Sequence, residues 1–531
     1  MRTLFKLKFS LVISFTVLAS GCSIFPDYLK PNIKAPEVWQ AKQVGQTKLT
    51  KNPDNRLPHS GQVDQLIGWW KQFNDPVLTR LLQAAETNSP TLDKAIANIK
   101  SARANTVAAS AQGLPTLTGN ISASRASGSS VSGNVGTNVS GGSTSSLSTT
   151  KTGNLDAAWE LDLFGGIKFS KQAADARLQA KENDWHTARV SLAAEVATSY
   201  LDYRACLLSV AAYQQALNSK QEATRLTNIL AGAGFSSPAD TALAEASLRA
   251  TESSLIGQQA QCDGTVKSLV ALTNLPEPSL RSLLASANNL PQPAEFTIDS
   301  LPAQLITQRP DLAADERNLA AANADIGVAT ANRYPSVSLT GSIGRTNISS
   351  NGFSSSSNTW SFGPSISLPI FDGGKLKSQV SIAEANYAIA YATYEQDVRT
   401  AIKEVEQALV SLDSAARREA TEKISTEQYR KYYKAAEINW RAGGISLITL
   451  EDARRQLINA ELSHITQQHD RVQYWIALYK ALGGGWQTNA GVNTAIVNSE
   501  TSLATAEKSV SFSKTNVKKS SLNSNSQEST K

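Results

Sequence analysis

The chain alternates between segments with a hydrophobic period of two and long segments of helical composition. In four short segments, the first of which begins at residue 117, apolar or small residues occupy every second position and polar residues lie between them. Because side chains of a strand point alternately to its two faces, this period predicts strands. The alternation covers four segments: 117–123, 155–163, 337–343 and 360–370. We therefore expect β-hairpins at 116–163 and 336–370, the first with a loop of Ser, Gly, Thr and Asn at about 125–152.

Two long segments, 167–231 and 375–442, contain neither Gly nor Pro and are rich in Ala, Gln, Glu, Arg and Leu. As helices, each would be about 95–100 Å long at ~1.5 Å per residue. Each ends at a Gly-x-x-Ser sequence, after which helical composition resumes. Gly permits a tight turn and Ser caps a new helix, so the pattern predicts long helical hairpins at 167–275 and 375–482.

The two halves of the chain repeat one another. Residues 89–115 realign on residues 309–335 at a constant shift, and each copy continues into a β-hairpin and then a helical hairpin. A repeat of this length is a duplicated half-domain, because solenoid units are only about 20–50 residues long. We divide the chain into a signal peptide at 1–21, an extended proline-containing arm at 22–75, a first repeat at 76–298, a second repeat at 299–486 and a polar, disordered tail at 487–531.

The number of strands bears on the oligomeric state. Two hairpins give four strands per chain, too few to close a barrel, whereas three chains supply twelve. Runs of about ten residues suit tilted membrane strands, and Trp159 and Trp360 suit the aromatic girdle at a membrane interface. The alternative is a pair of ordinary hairpins packed on a soluble core. The membrane interpretation predicts a homotrimer.

The N-terminus has the features of a lipoprotein signal. Lys6 and Lys8 precede the apolar run 9–18, and three small residues precede Cys22. This arrangement is that of a secretory signal, and the position of Cys22 is typical of a lipoprotein cysteine, whose thiol takes a diacylglycerol in an anchor that also carries a palmitoyl chain. Because Ser23, rather than Asp, follows the cysteine, we expect sorting to the outer membrane. The alternative is cleavage nearby, with Cys22 unmodified.

Cys206 and Cys262 are the other two cysteines. They lie about 30 residues before and about 26 residues after the Gly234–Ser237 turn, a mismatch of only ~5 Å along an antiparallel helical hairpin. In an oxidising compartment this spacing favours a disulfide over two free thiols.

Composition excludes several function classes. A net charge of +6 over 531 residues, without a basic stripe, gives no basis for nucleic-acid binding. None of the four histidines, His59, His186, His464 and His469, forms the i, i+4 pair of a zinc-binding helix. No nucleophile, base or metal-ligand set is clustered, so the sequence predicts neither a catalytic nor a metal site.

Several longer motifs resemble one family closely. The most specific is Ala477-Leu-Tyr-Lys-Ala-Leu-Gly-Gly-Gly-Trp486, and the others are Trp159-Glu-Leu-Asp-Leu-Phe-Gly165, Pro369-Ile-Phe-Asp-Gly-Gly374 and the two turns Gly234-x-x-Ser237-x-x-Asp240 and Gly443-x-x-Ser446. Over residues 69–486 the chain resembles the outer-membrane factor (TolC-like) family, and within it the lipidated branch that serves RND-type multidrug efflux systems.

The resemblance implies a mixed α and β fold that is mainly α, internally duplicated and trimeric. Four strands per chain would form a 12-stranded outer-membrane β-barrel continuous with a long periplasmic α-helical barrel. It implies a passive, gated conduit for drugs or other small toxic compounds, anchored in the outer membrane by its lipid and extending into the periplasm. Its partners would be a periplasmic membrane-fusion adaptor, a proton-driven inner-membrane RND pump and outer-membrane lipid.

The same resemblance assigns a gate. In that family, apolar and acidic side chains near the start of the returning helix close the tube at rest, which places Ile448, Asp452 and Arg455 at the constriction. The spacings i, i+4 and i, i+3 put each neighbouring pair on one helix face, with Arg455 as the counter-charge of Asp452. The alternative is an ordinary surface ion pair, which contributes only a few tenths of a kcal/mol.

The turns between the long helices are the expected adaptor contacts. They contain Gly234, Ser237 and Asp240 in the first repeat, and Gly443 and Ser446 in the second. These residues equally suit turn geometry alone, and the two roles are compatible.

Two other functions fit the pattern less well. A type I protein-secretion conduit shares the architecture but not the lipoprotein start. A trimeric stalk or adhesin leaves the strand pairs and the duplication without explanation.

Overall fold

The computed structural model describes the following residues: 25–26, 28–33, 36, 39–41, 69–129, 145–286, 290–291, 308–350 and 353–484. The signal peptide, Cys22, the polar tail and most of the predicted arm lie outside the described residues.

The elements repeat in the order helix, two strands, two long helices. After a short 3₁₀ helix at Trp69–Phe73, they are α1 (Pro76–Asn88), α2 (Pro90–Ala111), β1 (Thr116–Ser129), β2 (Ser145–Leu161), α3 (Gly166–Gly232), α4 (Pro238–Thr273), α5 (Glu277–Leu284), α6 (Pro310–Ala331), β3 (Ser336–Ser350), β4 (Phe353–Ser367), α7 (Lys375–Arg441) and α8 (Leu447–Ala481). Both α3 and α7 have 67 residues, so each is about 100 Å long at ~1.5 Å per residue.

The chain divides into two compact units. One contains the described residues up to Asn32 together with Ile99–Ala180 and Asp315–Tyr394. The other contains the described residues of Ile33–Asn98, Lys181–Ala314 and those from Glu395 onward. The strands belong to the first unit, and the tips of both helical hairpins to the second.

The four strands of the first unit form one antiparallel sheet in the order β1-β2-β3-β4. They have 14 to 17 residues, so the prediction of a loop over 125–152 was wrong at both of its ends. The ladder continues from Arg125 to Ser129 on β1 and from Ser145 to Thr152 on β2. Backbone hydrogen bonds sustain strand pairing without apolar side chains. The strands can therefore extend beyond the residues that show the hydrophobic period.

The register puts the apolar side chains of the strands on one face of the sheet. On β2, Leu155 and Trp159 pair with Ile343 and Leu339 of β3, and Ile343 in turn pairs with Trp360 of β4. This apolar band extends from the level of Leu155 to that of Leu161, about 20 Å at ~3.4 Å per residue, and much of it is exposed in the single chain. At the level of this band, the other face carries mainly polar residues, among them Asp156, Thr340 and Ser361.

Aromatic packing holds the core of the second unit. The ring of Trp69 stacks on that of Tyr479 with centroids 4.2 Å apart, and Phe73 meets Trp475 edge to face at 5.1 Å. The carboxylate of Asp75 caps α1 by accepting the Val77 N–H at 2.9 Å. It also accepts the Tyr200 hydroxyl at 2.6 Å, which ties the start of α1 to α3. No helix within the described ranges is both long and apolar enough to cross a membrane.

Candidate functional site: the tips of the helical hairpins

Both long helical hairpins turn through the same backbone geometry. Gly234 and Gly443 have φ values of +78° and +75°, a left-handed conformation that favours glycine. The residue after each glycine donates its N–H back to the preceding helix, from Phe235 to the Leu230 carbonyl and from Gly444 to the Asn439 carbonyl, both at 2.8 Å. This is the Schellman arrangement, and it explains why the glycine recurs in both repeats.

The returning helices begin at the predicted serines, but the two caps differ. The Ser237 Oγ accepts the Asp240 N–H at 3.0 Å, and the Asp240 carboxylate accepts the Ser237 N–H at 3.2 Å, which completes a capping box. In the second repeat, the Ser446 Oγ accepts the Thr449 N–H at 3.3 Å, and Thr449 has no carboxylate to reciprocate. The exposed ring of Phe235 further distinguishes the first tip from the second.

The start of α8 presents the three residues assigned to a gate. Ile448 is exposed, and Arg455 Nη2 lies 2.9 Å from Asp452 Oδ1 in an ion pair whose side chains are 71% and 55% exposed. At the equivalent positions of the first repeat, counted from the two capping serines, α4 has Ala239, Leu243 and Ala246. The charged pair therefore occurs only in the second repeat.

A buried ion cluster, which was not predicted from the sequence, lies on a neighbouring face of the same turns of α8. Glu451 pairs with Arg454 one turn along α8, and its other carboxylate oxygen lies 3.1 Å from Lys220 Nζ of α3. Ser247 of α4 donates to the same oxygen at 2.7 Å. The Arg454 guanidinium lies over the ring of Tyr433 of α7 at 5.5 Å from its centroid. The cluster therefore joins all four long helices.

A sequence signal for this cluster existed. Arg454 falls on the helical stripe formed by Leu447, Leu450 and Leu457, all of which are buried. A charged residue at a period that otherwise buries leucine must be buried with a partner.

The tryptophans proposed for a membrane girdle lie on the apolar face of the sheet. Trp360 on β4 is exposed. The Trp159 indole N–H donates to the Gly113 carbonyl at 3.0 Å. Through the register, Trp159 and Trp360 are four residues apart along the strand direction.

The remaining candidate residues are the two cysteines Cys206 and Cys262 and the histidines. Cys206 of α3 and Cys262 of α4 form a disulfide, with Cα atoms 5.6 Å apart. Within the described part of the chain, no three His, Cys, Asp or Glu side chains are grouped so as to hold a metal ion. Burial lowers the pKa of His186 to about 4. A hydrogen bond of 2.6 Å to the Asp202 carboxylate raises the pKa of His469, and this contact ties α8 to α3.

The chain is similar in sequence to outer-membrane channel and efflux proteins. The chain is 31% identical over 494 residues to the solvent efflux pump outer membrane protein SrpC of Pseudomonas putida, a match that covers 91% of this chain and 100% of SrpC. It is also 31% identical to the solved outer-membrane channel OprN, with a TM-score of 0.74 and coverage of 88% of this chain and 100% of OprN.

A third relative is a channel solved in an open state. The chain is 25% identical to the MtrE outer membrane channel of Neisseria gonorrhoeae, with a TM-score of 0.69 and coverage of 88% of this chain and 100% of MtrE. The family model described as outer membrane efflux protein matches residues 81–275 and 301–484, one range within each half of the chain. With full-length relatives and both repeats matched, the chain belongs to the outer membrane efflux protein family.

Proposed function

We propose that this chain is the outer-membrane channel of a tripartite efflux pump, a passive, gated conduit that exports drugs or other small toxic compounds. The observation that carries the proposal is the start of α8, where Ile448, Asp452 and Arg455 are exposed beside a tight helical turn. An apolar side chain exposed beside a charged pair offers a surface that other copies of the chain or a partner can contact. The chain would supply the conduit and the gate that closes it. The inner-membrane pump would supply the energy for transport.

The sheet supports assembly into a homotrimer. Strands β1 and β4 are the edges of the four-stranded sheet, and unpaired edges tend to pair with another chain. Joining β4 of one copy to β1 of the next would close three sheets into a ring of twelve strands. The apolar band would then face lipid, with Trp159 and Trp360 toward the headgroups, and the polar face would line the conduit.

The tips support contact with a periplasmic adaptor. Gly234, Ser237 and Asp240 lie in one capped turn, and Gly443 and Ser446 lie in the other. Both turns are largely exposed, and the first also exposes the ring of Phe235. A membrane-fusion adaptor would dock there and connect the conduit to a proton-driven RND pump. Because the caps of the two turns differ, the adaptor would contact two distinct surfaces per chain.

Lipidation of Cys22 would add an outer-membrane anchor. We expect radiolabelled palmitate to enter the wild-type protein and to be absent from the Cys22→Ala variant, because that thiol is the only site a lipoprotein signal would modify. The label is measured on the protein after gel separation and compared with a Cys206→Ser/Cys262→Ser variant, which keeps Cys22. Equal labelling of Cys22→Ala and wild type would disprove the anchor.

The transport function is tested in cells that lack their own outer-membrane channel. Expressing this chain with a candidate adaptor and RND pump should lower the accumulation of a fluorescent dye, and collapsing the proton gradient should restore it. The matched control is the same pump and adaptor without this chain. Unchanged accumulation with every cognate pair tried, together with new polypeptides in the medium, would contradict the proposal and favour a type I secretion conduit.

A further inference from the structure

The charged residues of the sheet are divided between its two faces. The four strands contain three basic residues, Arg125, Lys151 and Arg345, and two acidic residues, Asp156 and Glu160. By the strand register, all three basic residues lie on the face that carries the apolar band, and both acidic residues lie on the other face. Within the strands, the apolar face therefore carries only positive charge and the opposite face only negative charge.

The three basic residues follow one another diagonally across three adjacent strands. Lys151 of β2 pairs with Asn347 of β3, which is two residues from Arg345. It also pairs with Ala123 of β1, which is two residues from Arg125. Diagonal neighbours of this kind are about 7–8 Å apart, a distance that long, flexible side chains span. All three basic residues are exposed, so their charged ends can converge on one anionic group.

These cations lie just beyond the apolar band, at the end of the sheet that is farthest from the helices. Arg345 pairs with Gly153, two residues beyond Leu155 at the edge of the band, which is a step of about 7 Å along a strand. The Arg345 guanidinium donates to the Ser356 hydroxyl at 3.3 Å, in the direction away from the band. Long basic side chains at the edge of a membrane keep their charge at the level of the headgroups while their stems lie along apolar surface.

We propose that Arg125, Lys151 and Arg345 bind the phosphate groups of an anionic lipid in the outer leaflet of the outer membrane; this proposal rests on the proposed function, in which the apolar band faces lipid. Guanidinium and ammonium groups bind phosphate through charge-assisted hydrogen bonds. The apolar band directly beside the cations offers a surface to the acyl chains of the same molecule. A lipid therefore uses both surfaces, whereas a free phosphate ion would use only the cations.

The test measures binding of bisphosphorylated lipid A to the full-length trimer in dodecyl maltoside by native mass spectrometry. We expect Arg125→Gln/Lys151→Gln/Arg345→Gln to bind this lipid about tenfold more weakly than wild type or worse, because each basic residue near an anionic lipid adds to the attraction. The three side chains are exposed, so the substitutions leave the packing of the sheet unchanged.

The matched control removes the same charge elsewhere. Lys423→Gln/Lys431→Gln/Lys434→Gln alters three exposed lysines in the second half of α7. Salt screens exposed charges that are more than about 10 Å from the lipid, so we expect this variant to bind lipid A as wild type does.

Two further comparisons identify the ligand. Lipid A without its phosphates should bind wild type about tenfold more weakly or worse, whereas Arg125→Lys/Arg345→Lys, which keeps both charges, should retain most of the binding. An excess of inorganic phosphate should not displace lipid A, because a free ion gains nothing from the apolar band. Displacement by inorganic phosphate would mean an anion site without lipid selectivity and would overturn the proposal.

Equal lipid A binding by the triple glutamine variant and the α7 control would also overturn the proposal. If the triple variant does not assemble, Lys151→Gln, which removes only the central cation, replaces it: binding weaker than that of the α7 control supports the lipid site, and equal binding contradicts it. Dye export separates this proposal from the proposed function. Absence of export by the wild-type chain with cognate partners would contradict the proposed function itself, whatever the lipid binding.

Discussion

Replacing Asp452 and Arg455 by alanine together is expected to raise the resting conductance of the reconstituted channel about tenfold. Within one chain their ion pair is exposed and contributes only about 0–1 kcal/mol. In a trimer, three such pairs would converge on the axis, so a combined loss of ~1.4 kcal/mol of closure is reasonable and corresponds to a factor of about ten. The measurement is potassium chloride conductance in planar bilayers without adaptor.

The chain offers a close control for this experiment. Glu222 and Arg225 of α3 also form an exposed i, i+3 ion pair, at 2.7 Å, and Arg225 lies nine residues before Gly234 just as Asp452 lies nine residues after Gly443. Alanine at Glu222 and Arg225 should leave conductance unchanged. Equal conductance of the two double variants would remove Asp452 and Arg455 from the gate.

The single substitution Arg455→Ala tests whether Asp452 without its counter-charge favours the open or the closed channel. It would leave three carboxylates near the axis without counter-charges, and like charges repel at short range. We expect its conductance to be at least as high as that of the double variant. A lower conductance would mean that Asp452 without its counter-charge stabilises the closed state instead of repelling its copies.

Of all these variants, the one that lacks the disulfide should have the largest decrease in the free energy of unfolding. The bridge between Cys206 and Cys262 spans a sequence separation of 56 residues, and the entropy lost by the unfolded chain on closing such a loop corresponds to about 4 kcal/mol. We expect Cys206→Ser/Cys262→Ser to unfold at a clearly lower temperature in detergent. Non-reducing peptide mapping of periplasmic wild-type protein should recover the joined peptides, and two alkylatable thiols would contradict the bridge.

Reductant provides the control for the disulfide. In a Cys22→Ala background the only remaining cysteines are Cys206 and Cys262, so reductant should lower the melting temperature as much as the double serine substitution does. Conductance should not change, because Cys206 lies 28 residues before Gly234, about 42 Å along the helix at ~1.5 Å per residue. A melting temperature insensitive to reductant would show that the bridge does not stabilise the fold.

Much of the architecture followed from local sequence rules. A period of two gave the strands because a strand exposes alternate residues to alternate sides. The absence of Gly and Pro predicted the long helices. Gly234 and Gly443 predicted the turns between them, because glycine adopts positive φ without the steric cost that other residues incur. The pairing of Cys206 with Cys262 followed from equal rise per residue in two antiparallel helices. In each case the determining interaction lies within a few residues or within one simple hairpin.

Tertiary structure decided what those rules could not reach. The strands extend beyond the apolar period because pairing depends on a partner strand, as at Arg125 opposite Thr149. Burial of Glu451 and exposure of Asp452, its neighbour in sequence, depend on where α3, α4 and α7 lie around α8. A sequence places adjacent carboxylates on a helix, but only the surrounding helices determine which one loses its water and therefore requires a buried cation.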